Sequence, residues 1–532
     1  MSAGLLLTFV IGYFFVLLIV AYFTSRNSNN DSFFIGNRNS NWMLVAFGMI
    51  GTSLSGVTFV SVPGTVGTSA FAYFQVVIGY FLGYIIIAFV LLPLFYRLNL
   101  TSIYNYLDHR FGEVSHKTGS LFFIISRVLG ATARLYLVIN VLQIFILKDM
   151  NIPFALTTFI ILLMILLYTF EGGVKTIVFT DTLQTTFMLV GLIVCIFFIM
   201  NTMGHTVGST MHDLNSNGLT KIFNPDVNSP HYFIKEIIGG IFITVGMTGL
   251  DQEMMQKNIS VRTLKDSQKN VMTFSVIMAI VNFLFLLLGG VLYFYAHSNN
   301  ITAKGDDLFP TVALHYLPKA VSIIFIIGLI SALFPSADGA LTALTSSFCI
   351  DILGLKKRDD LTEKQKKAKR LVVHFIFAVI FFLMVMGFKW VNNKSIIDII
   401  LKVAGFTYGP LLGLFAFGIL SNRKVNDRLV LLVCLAAVLL VWGIDFVNNI
   451  EWWQKQLKLD GNWVNGVKNV SSSVFGTFKI GYELLLYNGI LTFIGLFLIS
   501  KPQPVPKEVK TILEHGTHYS FSSTIRGEIY FC

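Results

Sequence analysis

One nine-residue stretch, from Ser331 to Gly339, constrains this chain more than any other part of its sequence. It lies inside an apolar run from about 319 to 350, and it holds two serines, the carboxylate of Asp338 and the helix-breaking Pro335. A charged side chain at the centre of a bilayer costs about 2.5–3.5 kcal/mol, so such a residue is usually retained for a function. Hydroxyl, carboxylate and proline-freed carbonyl oxygens are the ligands that a hard cation such as Na⁺ prefers.

The surrounding sequence is that of an integral membrane protein. It is 55% hydrophobic and 13% charged. Runs long enough to cross about 30 Å of hydrocarbon recur along the chain, and they predict an all-α membrane fold because a lipid-exposed span must satisfy its own backbone hydrogen bonds. The predicted spans number thirteen: 4–24, 42–62, 72–96, 119–147, 152–170, 177–201, 233–250, 270–296, 319–350, 371–388, 397–420, 428–446 and 480–500.

The distribution of positive charge predicts the orientation of the chain. The net charge is +11, which in a soluble protein would suggest nucleic acid, but these charges concentrate in one set of alternating loops. By the positive-inside rule that set is cytoplasmic, so we expect a multi-pass protein of the cell (inner) membrane with its N-terminus outside, its C-terminus inside and no nucleic-acid partner. The richer set contains Arg26, Arg38, Arg97, Arg110, Lys117, Lys175, Lys257, Arg262, Lys265, Lys269, Lys356, Lys357, Arg358, Lys364, Lys366, Lys367, Lys369, Arg370, Arg423, Lys424 and Arg428.

Two predicted spans are interrupted by glycines and small hydroxyl residues. The second span contains them at 48–56, and the seventh at 239–240 and 246–252. Interrupted spans at corresponding places in two halves of a chain are typical of transporter binding sites. Spans 2 to 6 form one set of five and spans 7 to 11 another, and because five is odd the second set must run inverted. The alternative is that these small residues only permit close helix packing.

This pattern predicts one membrane domain over residues 1–500. Within it, 4–24 is an accessory helix, 42–201 the first repeat and 233–420 the inverted second repeat. Residues 428–500 form further accessory helices, and 501–532 a cytoplasmic tail rich in proline at its start.

Five motifs, in the same order as in a known family, give the chain a resemblance to the sodium/solute symporters. That family includes sodium-coupled carriers of sugars, proline, sialic acid, monocarboxylates, vitamins and iodide. The resemblance implies the leucine-transporter fold, with two inverted five-helix repeats and accessory helices. The motifs are Asp31–Arg38; Thr101–Gly112, with Asn105 where glutamate is usual; Gly172–Lys175 followed by Thr180–Gln184; the stretch around Ser336; and Gly405–Gly413.

The resemblance implies a sodium site between spans 2 and 9. Its ligands would be the carbonyls of Gly51, Leu54 and Ala332 and the hydroxyl of Ser336. The family commonly has a hydroxyl residue just before that serine, where this chain has Pro335. A loosened carbonyl or a water is expected to replace the missing ligand, and the alternative is that this proline is an ordinary kink.

A second cation site is implied at Asp181 and Asp338. Some members bind a second sodium with hydroxyls near position 338 and an acid at the position of Asp181. Here the carboxylate of Asp338 stands in their place, so it would bind a second Na⁺ or hold a proton. The alternative is a purely structural pairing of Asp338 with a basic residue.

Arg134, near the centre of span 4, indicates the charge of the solute. A buried arginine stays charged and needs water, an anion or a partner, and its planar fork suits a carboxylate. The alternative is an ion pair with Asp181 or Asp338. Further substrate contacts are expected from Ser53, Thr58, Gln75, Thr248 and Gln252.

These observations predict a sodium-coupled symporter that imports a small anionic solute, of the sialic acid or monocarboxylate type, by alternating access. Na⁺ is the expected coupling ion, with no organic cofactor, and the expected unit is a monomer in the lipid bilayer. A sugar or proline-like amino acid carrier is the nearest alternative, and a solute sensor built on a transporter bundle is a more distant one. An intramembrane enzyme using Asp181 and Asp338 lacks any accompanying catalytic motif, so no enzymatic activity is expected.

Overall fold

Long helices make up most of the computed structural model of this chain. The structure describes residues 3–25, 30–147, 150–169, 173–391, 396–457 and 459–502. Predicted features that lie outside those residues are Arg26, Gly172 and the tail from residue 503.

Among the described residues, eleven α-helices lie in the first part of the chain. Asn41 begins α3 by accepting a hydrogen bond from the Met43 N–H at 2.9 Å, as an N-cap residue does. The helices are α1 (Ala3–Ser25), α2 (Asn30–Ile35), α3 (Trp42–Ser53), α4 (Gly56–Ser69), α5 (Phe74–Ile86), α6 (Leu92–Arg97), α7 (Asn105–Arg110), α8 (Glu113–Leu142), α9 (Phe154–Thr169), α10 (Gly173–Thr202) and α11 (Val207–Ser216).

The described residues of the second part contain twelve α-helices and a two-stranded ladder, in which Lys424 pairs with Lys501. Its elements are α12 (Phe233–Thr244), α13 (Gln252–Ile259), α14 (Leu264–Ser298), α15 (Leu308–Thr311), α16 (Lys319–Ser347), α17 (Glu363–Val391), α18 (Ile396–Thr407), α19 (Gly409–Leu420), β1 (Lys424–Val425), α20 (Val430–Asn448), α21 (Ile450–Leu457), α22 (Gly461–Phe475), α23 (Leu484–Leu498) and β2 (Ser500–Lys501).

The predicted membrane segments coincide with these helices. In the described residues, 8 helices are long and apolar enough to cross a membrane, and 3 further segments pass the same test as bent helix pairs. Two shorter apolar helices, α9 and α23, match the remaining predicted spans. The outer faces of α1, α17 and α20 expose large apolar side chains, as a lipid-facing surface does. The all-α class is confirmed, and the number of crossings stays a prediction.

Both predicted interruptions are real breaks in helices. The chain bends by 58° between α3 and α4 and by 65° between α12 and α13. A third bend, of 42° between α18 and α19, was not predicted from the sequence, although Gly409-Pro410 follows it directly. By contrast, α16 continues as one helix through Pro335.

Glycines let helices of the two predicted repeats approach closely. A Cβ placed on Gly79 of α5 would lie 2.8 Å from the Cα of Gly240 on α12 and 3.0 Å from the backbone nitrogen of Ile241. Between α10 and α16, a Cβ on Gly191 would lie 3.3 Å from the Cα of Gly328. Such contacts replace the hydrophobic driving force that helices in lipid lack.

We expect Gly79→Ala to destabilise the protein by about 1–3 kcal/mol, because the added methyl group would overlap backbone that cannot rotate away. Thermal unfolding of the detergent-solubilised protein measures this. Gly387→Ala on α17, where nothing lies within 4 Å of an added Cβ, is the matched control and should not lower the melting temperature. Equal melting temperatures for the two variants would contradict the close packing of α5 on α12.

Candidate solute and cation site

A cavity of about 90 Å³ lies beside the break between α3 and α4. Hydroxyl, amide and guanidinium groups share its wall with apolar side chains, so it is suited to a polar solute with an apolar face. Its polar lining comprises Thr52, Ser53, Ser55, Thr58, Tyr73, Tyr80, Tyr84, Arg127, Arg134, Thr244, Thr248 and Asn282.

Four of the six predicted substrate residues line this cavity. Ser53 and Thr58 reach it from the two sides of the first break, Thr248 from the π-helical turn that follows α12, and Arg134 from α8. The breaks thus direct polar groups from separate helices toward one space.

The structure does not bring the other two predicted substrate residues to the cavity. Gln75 is fully buried; its Oε1 accepts a hydrogen bond from the Asn224 N–H at 3.0 Å, and its Nε2 donates one to Glu236 at 3.4 Å. Gln252 is equally buried and binds the backbone at Ile103 N, 3.0 Å away. Both amides satisfy neighbouring groups instead, which a sequence does not reveal.

The guanidinium of Arg134 faces the cavity without a partner. Among the residues that the structure describes, none forms a hydrogen bond or an ion pair with it, so neither of the predicted pairings with Asp181 or Asp338 occurs. Five N–H donors of a permanent cation therefore remain available to a ligand.

Arg127 lies two turns before Arg134 on α8 and, unlike Arg134, has acidic partners. Its guanidinium forms an ion pair with Glu253, and it lies 3.7 Å from a carboxylate oxygen of Asp251. Both acids lie at the break between α12 and α13 and are completely buried. Arg127 therefore stabilises buried negative charge at the break, whereas Arg134 has no such partner among the described residues.

A second buried ion pair lies deeper, at Asp181. The Nζ of Lys257 on α13 is 2.7 Å from Asp181 Oδ2 and 2.7 Å from Thr52 Oγ1. The prediction that this lysine lies in a cytoplasmic loop is wrong, because every residue of α13 is buried inside the bundle. Glu253 and Lys257 are four residues apart, a spacing that brings an acid and a base together on one face of a helix. This spacing could have indicated the buried ion pairs, but hydropathy alone did not.

Asp338 is held by uncharged donors. Its carboxylate accepts hydrogen bonds from the Tyr168 hydroxyl at 2.6 Å and from the Gly339 N–H at 2.5 Å. It is fully buried and lies close enough to Asp181 to interact electrostatically with it. The alternative of a structural pairing with a basic side chain is therefore not what the structure shows at this position.

The predicted sodium ligands lie where α3 meets α16. A Cβ on Gly51 would be 3.4 Å from the Cγ of Pro335, so the two spans touch at this point. Gly51 and Leu54 lie at the C-terminal end of α3, where helix carbonyls lack intrahelical partners and the dipole is negative. The Ser336 hydroxyl donates to the Leu333 carbonyl at 2.9 Å, leaving its lone pairs to accept or to coordinate.

Two of the helix bends are joined by one hydrogen bond. The Tyr408 hydroxyl, at the bend between α18 and α19, donates to Asp251 Oδ2 at 2.7 Å. The other oxygen of Asp251 caps α13 by accepting from the Glu253 N–H at 2.9 Å. This hydrogen bond therefore links the two bends directly.

Hydrogen bonds join separate segments on the predicted cytoplasmic side of the bundle. Tyr104 donates to the Leu250 carbonyl at 2.8 Å, and Asp351 accepts from Ser102 at 2.8 Å and contacts His116 at 2.9 Å. A larger cavity of about 710 Å³ is lined by loops of the predicted outer side, and Tyr73 lines both cavities.

Comparison with known proteins gives a consistent family and fold. The model of the family described as "Sodium:solute symporter family" matches residues 33–429. A sodium/sialic acid symporter of Aliivibrio fischeri is 23% identical, over 82% of this chain and 87% of that protein. One from Proteus mirabilis is 24% identical, over 77% and 84%, and mouse sodium-coupled monocarboxylate transporter 1 is 26% identical, over 78% and 67%.

Solved structures with the same arrangement confirm the expected leucine-transporter fold. An outward-open, substrate-bound Na⁺-coupled sialic acid symporter superimposes with a TM-score of 0.76 at 19% identity, covering 94% of this chain and 99% of that chain. The closed nucleobase-cation transporter Mhp1 gives a TM-score of 0.50 at 13% identity, over 87% and 98%.

We expect Tyr408→Phe to lower the free energy of unfolding by about 1–3 kcal/mol, because the buried Asp251 carboxylate loses a donor. Chemical or thermal denaturation measures the loss. Tyr487→Phe on α23, whose ring is 36% exposed, is the control and should be neutral. If Tyr408→Phe unfolds with the same free energy as the wild type, the hydrogen bond between Tyr408 and Asp251 does not contribute to stability.

Proposed function

The chain belongs to the sodium:solute symporter family, and we propose that it couples the inward movement of Na⁺ to the import of a small organic anion by alternating access. A sialic acid is the first candidate solute. This choice is supported by the sialic acid symporters among the chain's relatives and by the chemistry of the cavity.

The main support for an anionic solute is the guanidinium of Arg134, which has no partner among the described residues. A cation that lines a cavity between membrane helices without a counter-ion is unfavourable, and a solute carboxylate would supply the missing charge and up to two parallel hydrogen bonds. Hydroxyl groups from Ser53, Thr58 and Thr248 face the same cavity and suit the hydroxyl-rich body of a sialic acid. A sugar or a zwitterionic amino acid would leave this cation less well compensated.

A short monocarboxylate is the second candidate. The cavity of about 90 Å³ favours a compact solute, and sodium-coupled monocarboxylate transporters are among the relatives. Competition of both solute classes against labelled sialic acid would rank them directly.

For the coupling ion we propose a site at the C-terminal end of α3. The carbonyls of Gly51, Leu54 and Ala332 and the hydroxyl of Ser336 would supply its oxygens. The contact between α3 and α16 at Pro335 and the negative end of the α3 dipole support this placement. No second hydroxyl stands beside Ser336, so a water or a loosened carbonyl would complete the shell.

The membrane arrangement is part of the same proposal. We propose that residues 4–24, the two repeats at 42–201 and 233–420, and the helices of 428–500 form one monomeric unit in the cell membrane. The N-terminus would lie outside, with the tail from 501 in the cytoplasm. Transport rather than catalysis is its role.

Na⁺ would drive the cycle by favouring one arrangement of the broken helices. A ligand shifts a conformational equilibrium only by its differential affinity for the two states. Cation binding at α3 and α16 would fix the first break, and Ser53 and Thr58 on either side of that break would then face the solute together. Opening inward requires the contacts of Tyr104 and Asp351 on the cytoplasmic side to separate.

The test is uptake of labelled N-acetylneuraminic acid into proteoliposomes. Accumulation should require an inward Na⁺ gradient and should stop when choline replaces Na⁺. Uptake that persists in choline with the pH gradient collapsed would refute sodium coupling.

Removing the proposed carboxylate partner should weaken solute binding. We expect Arg134→Gln to raise the solute concentration for half-maximal uptake roughly 10- to 100-fold, since a charge-assisted hydrogen bond contributes about 1.5–3 kcal/mol. Arg134→Lys should lie between this variant and the wild type, because a lysine keeps the charge without the fork. Arg262→Gln, at an exposed site, is the control, and equal loss in both Gln variants would refute the assignment.

Removing the proposed hydroxyl ligand should weaken sodium binding instead. We expect Ser336→Ala to raise the Na⁺ concentration for half-maximal uptake roughly 10-fold, the effect of losing about 1.4 kcal/mol. Ser346→Ala is a matched control on the same helix, where the hydroxyl donates to the Thr342 carbonyl at 2.9 Å. An unchanged sodium requirement in Ser336→Ala would exclude this serine as a ligand.

A further inference from the structure

We propose that the ammonium group of Lys257 permanently holds the cation position on Asp181, so that the carrier binds one Na⁺ per cycle and not two. The inference rests on the proposed function and adds its stoichiometry. The sequence analysis predicted a second cation site at Asp181 and Asp338; here the protein supplies the cation for Asp181 from its own chain.

The surroundings of the Lys257 Nζ are those of a small cation. Asp181 Oδ2 and Thr52 Oγ1 each lie at 2.7 Å, and Glu253 Oε1 lies at 3.6 Å. These oxygens come from three different helices, α10, α3 and α13, and converge on one point. Carboxylate and hydroxyl oxygens gathered in this way would serve Na⁺ equally well, but the ammonium already occupies the space.

The lysine is fixed in this position by its burial. Its relative exposure is 1%, and Asp181 and Glu253 are at 0%. Withdrawing either partner would leave an uncompensated charge in the bundle, which is strongly unfavourable. A covalently attached cation therefore has a large advantage over a free ion at this point.

Lys257 is also linked to the proposed sodium site through Thr52. Thr52, whose hydroxyl accepts from the ammonium, lies between Gly51 and Leu54, and both of these supply proposed carbonyl ligands. The tethered cation thus holds the end of α3 in place while the mobile one enters and leaves.

The inference has an electrical consequence. A monoanionic solute carried with one Na⁺ moves no net charge, so uptake would not respond to an imposed membrane potential. A second Na⁺ would make each cycle carry one positive charge inward.

Binding of ²²Na⁺ to the purified protein in lipid nanodiscs tests the stoichiometry without any solute. We expect the wild type to bind one Na⁺ per protein and Lys257→Met to bind two, because the methionine leaves the oxygens of Asp181 and Thr52 open. Lys257→Arg should still bind one. Lys269→Met removes a lysine whose side chain is 53% exposed and should also bind one.

Charge movement in proteoliposomes gives a second readout. Uptake of a monoanion by the wild type should be unchanged by an inside-negative potential, whereas Lys257→Met should be accelerated by it. Two ions bound to the wild type, or one ion bound to folded Lys257→Met, would overturn the inference while leaving sodium-coupled import intact. If Lys257→Met does not fold, the number of Na⁺ ions bound by the wild type decides between one ion and two.

If no tested anion is taken up, the measured number of bound Na⁺ ions still tests the inference, and only the proposed function fails.

Discussion

The pairing of buried charges near the helix breaks is the interaction on which this structure depends. Carboxylates at this depth are tolerated only with donors or cations beside them. Arg127 compensates the acids at the second break, Lys257 compensates Asp181, and the Tyr168 hydroxyl with a backbone amide holds Asp338. The pairings of Arg127 with Glu253, of Lys257 with Asp181 and of Tyr168 with Asp338 join helices that are far apart in sequence, so they help to determine how the bundle packs.

Arg134 is the exception to this pairing. It lies two turns from Arg127, which has an ion pair with Glu253, and it lines the cavity without an ion pair among the described residues. The last carbonyls of α3, at the first break, likewise lack intrahelical partners. A transporter needs groups that bind its solute and ion and then release them. Polar groups without partners in the protein are suited to this.

Helix breaks were predictable, and the partners of the polar residues were not. Glycine and hydroxyl clusters predicted the breaks after α3 and α12, and hydropathy predicted the membrane helices, because both signals are local in sequence. The assignment of Gln75 and Gln252 to the solute rested on chain position alone, and both amides bind loop backbone. The burial of Lys257 was not predicted because the positive-inside rule treats every lysine that follows a span as part of a solvent-exposed loop.

The sequence by itself determined the class of the protein: an all-α membrane chain of the sodium:solute symporter family, with two broken spans and an arginine at membrane depth. Those properties follow from hydrophobicity, backbone flexibility and motif order, which are read along the chain. Only the tertiary structure decided which arginine lacks an ion pair among the described residues, which acid forms an ion pair with Lys257 and which bends are joined through Tyr408. Such choices depend on distances of a few ångströms between helices, since the electrostatic and hydrogen-bond energies of buried groups are set by those distances and by burial.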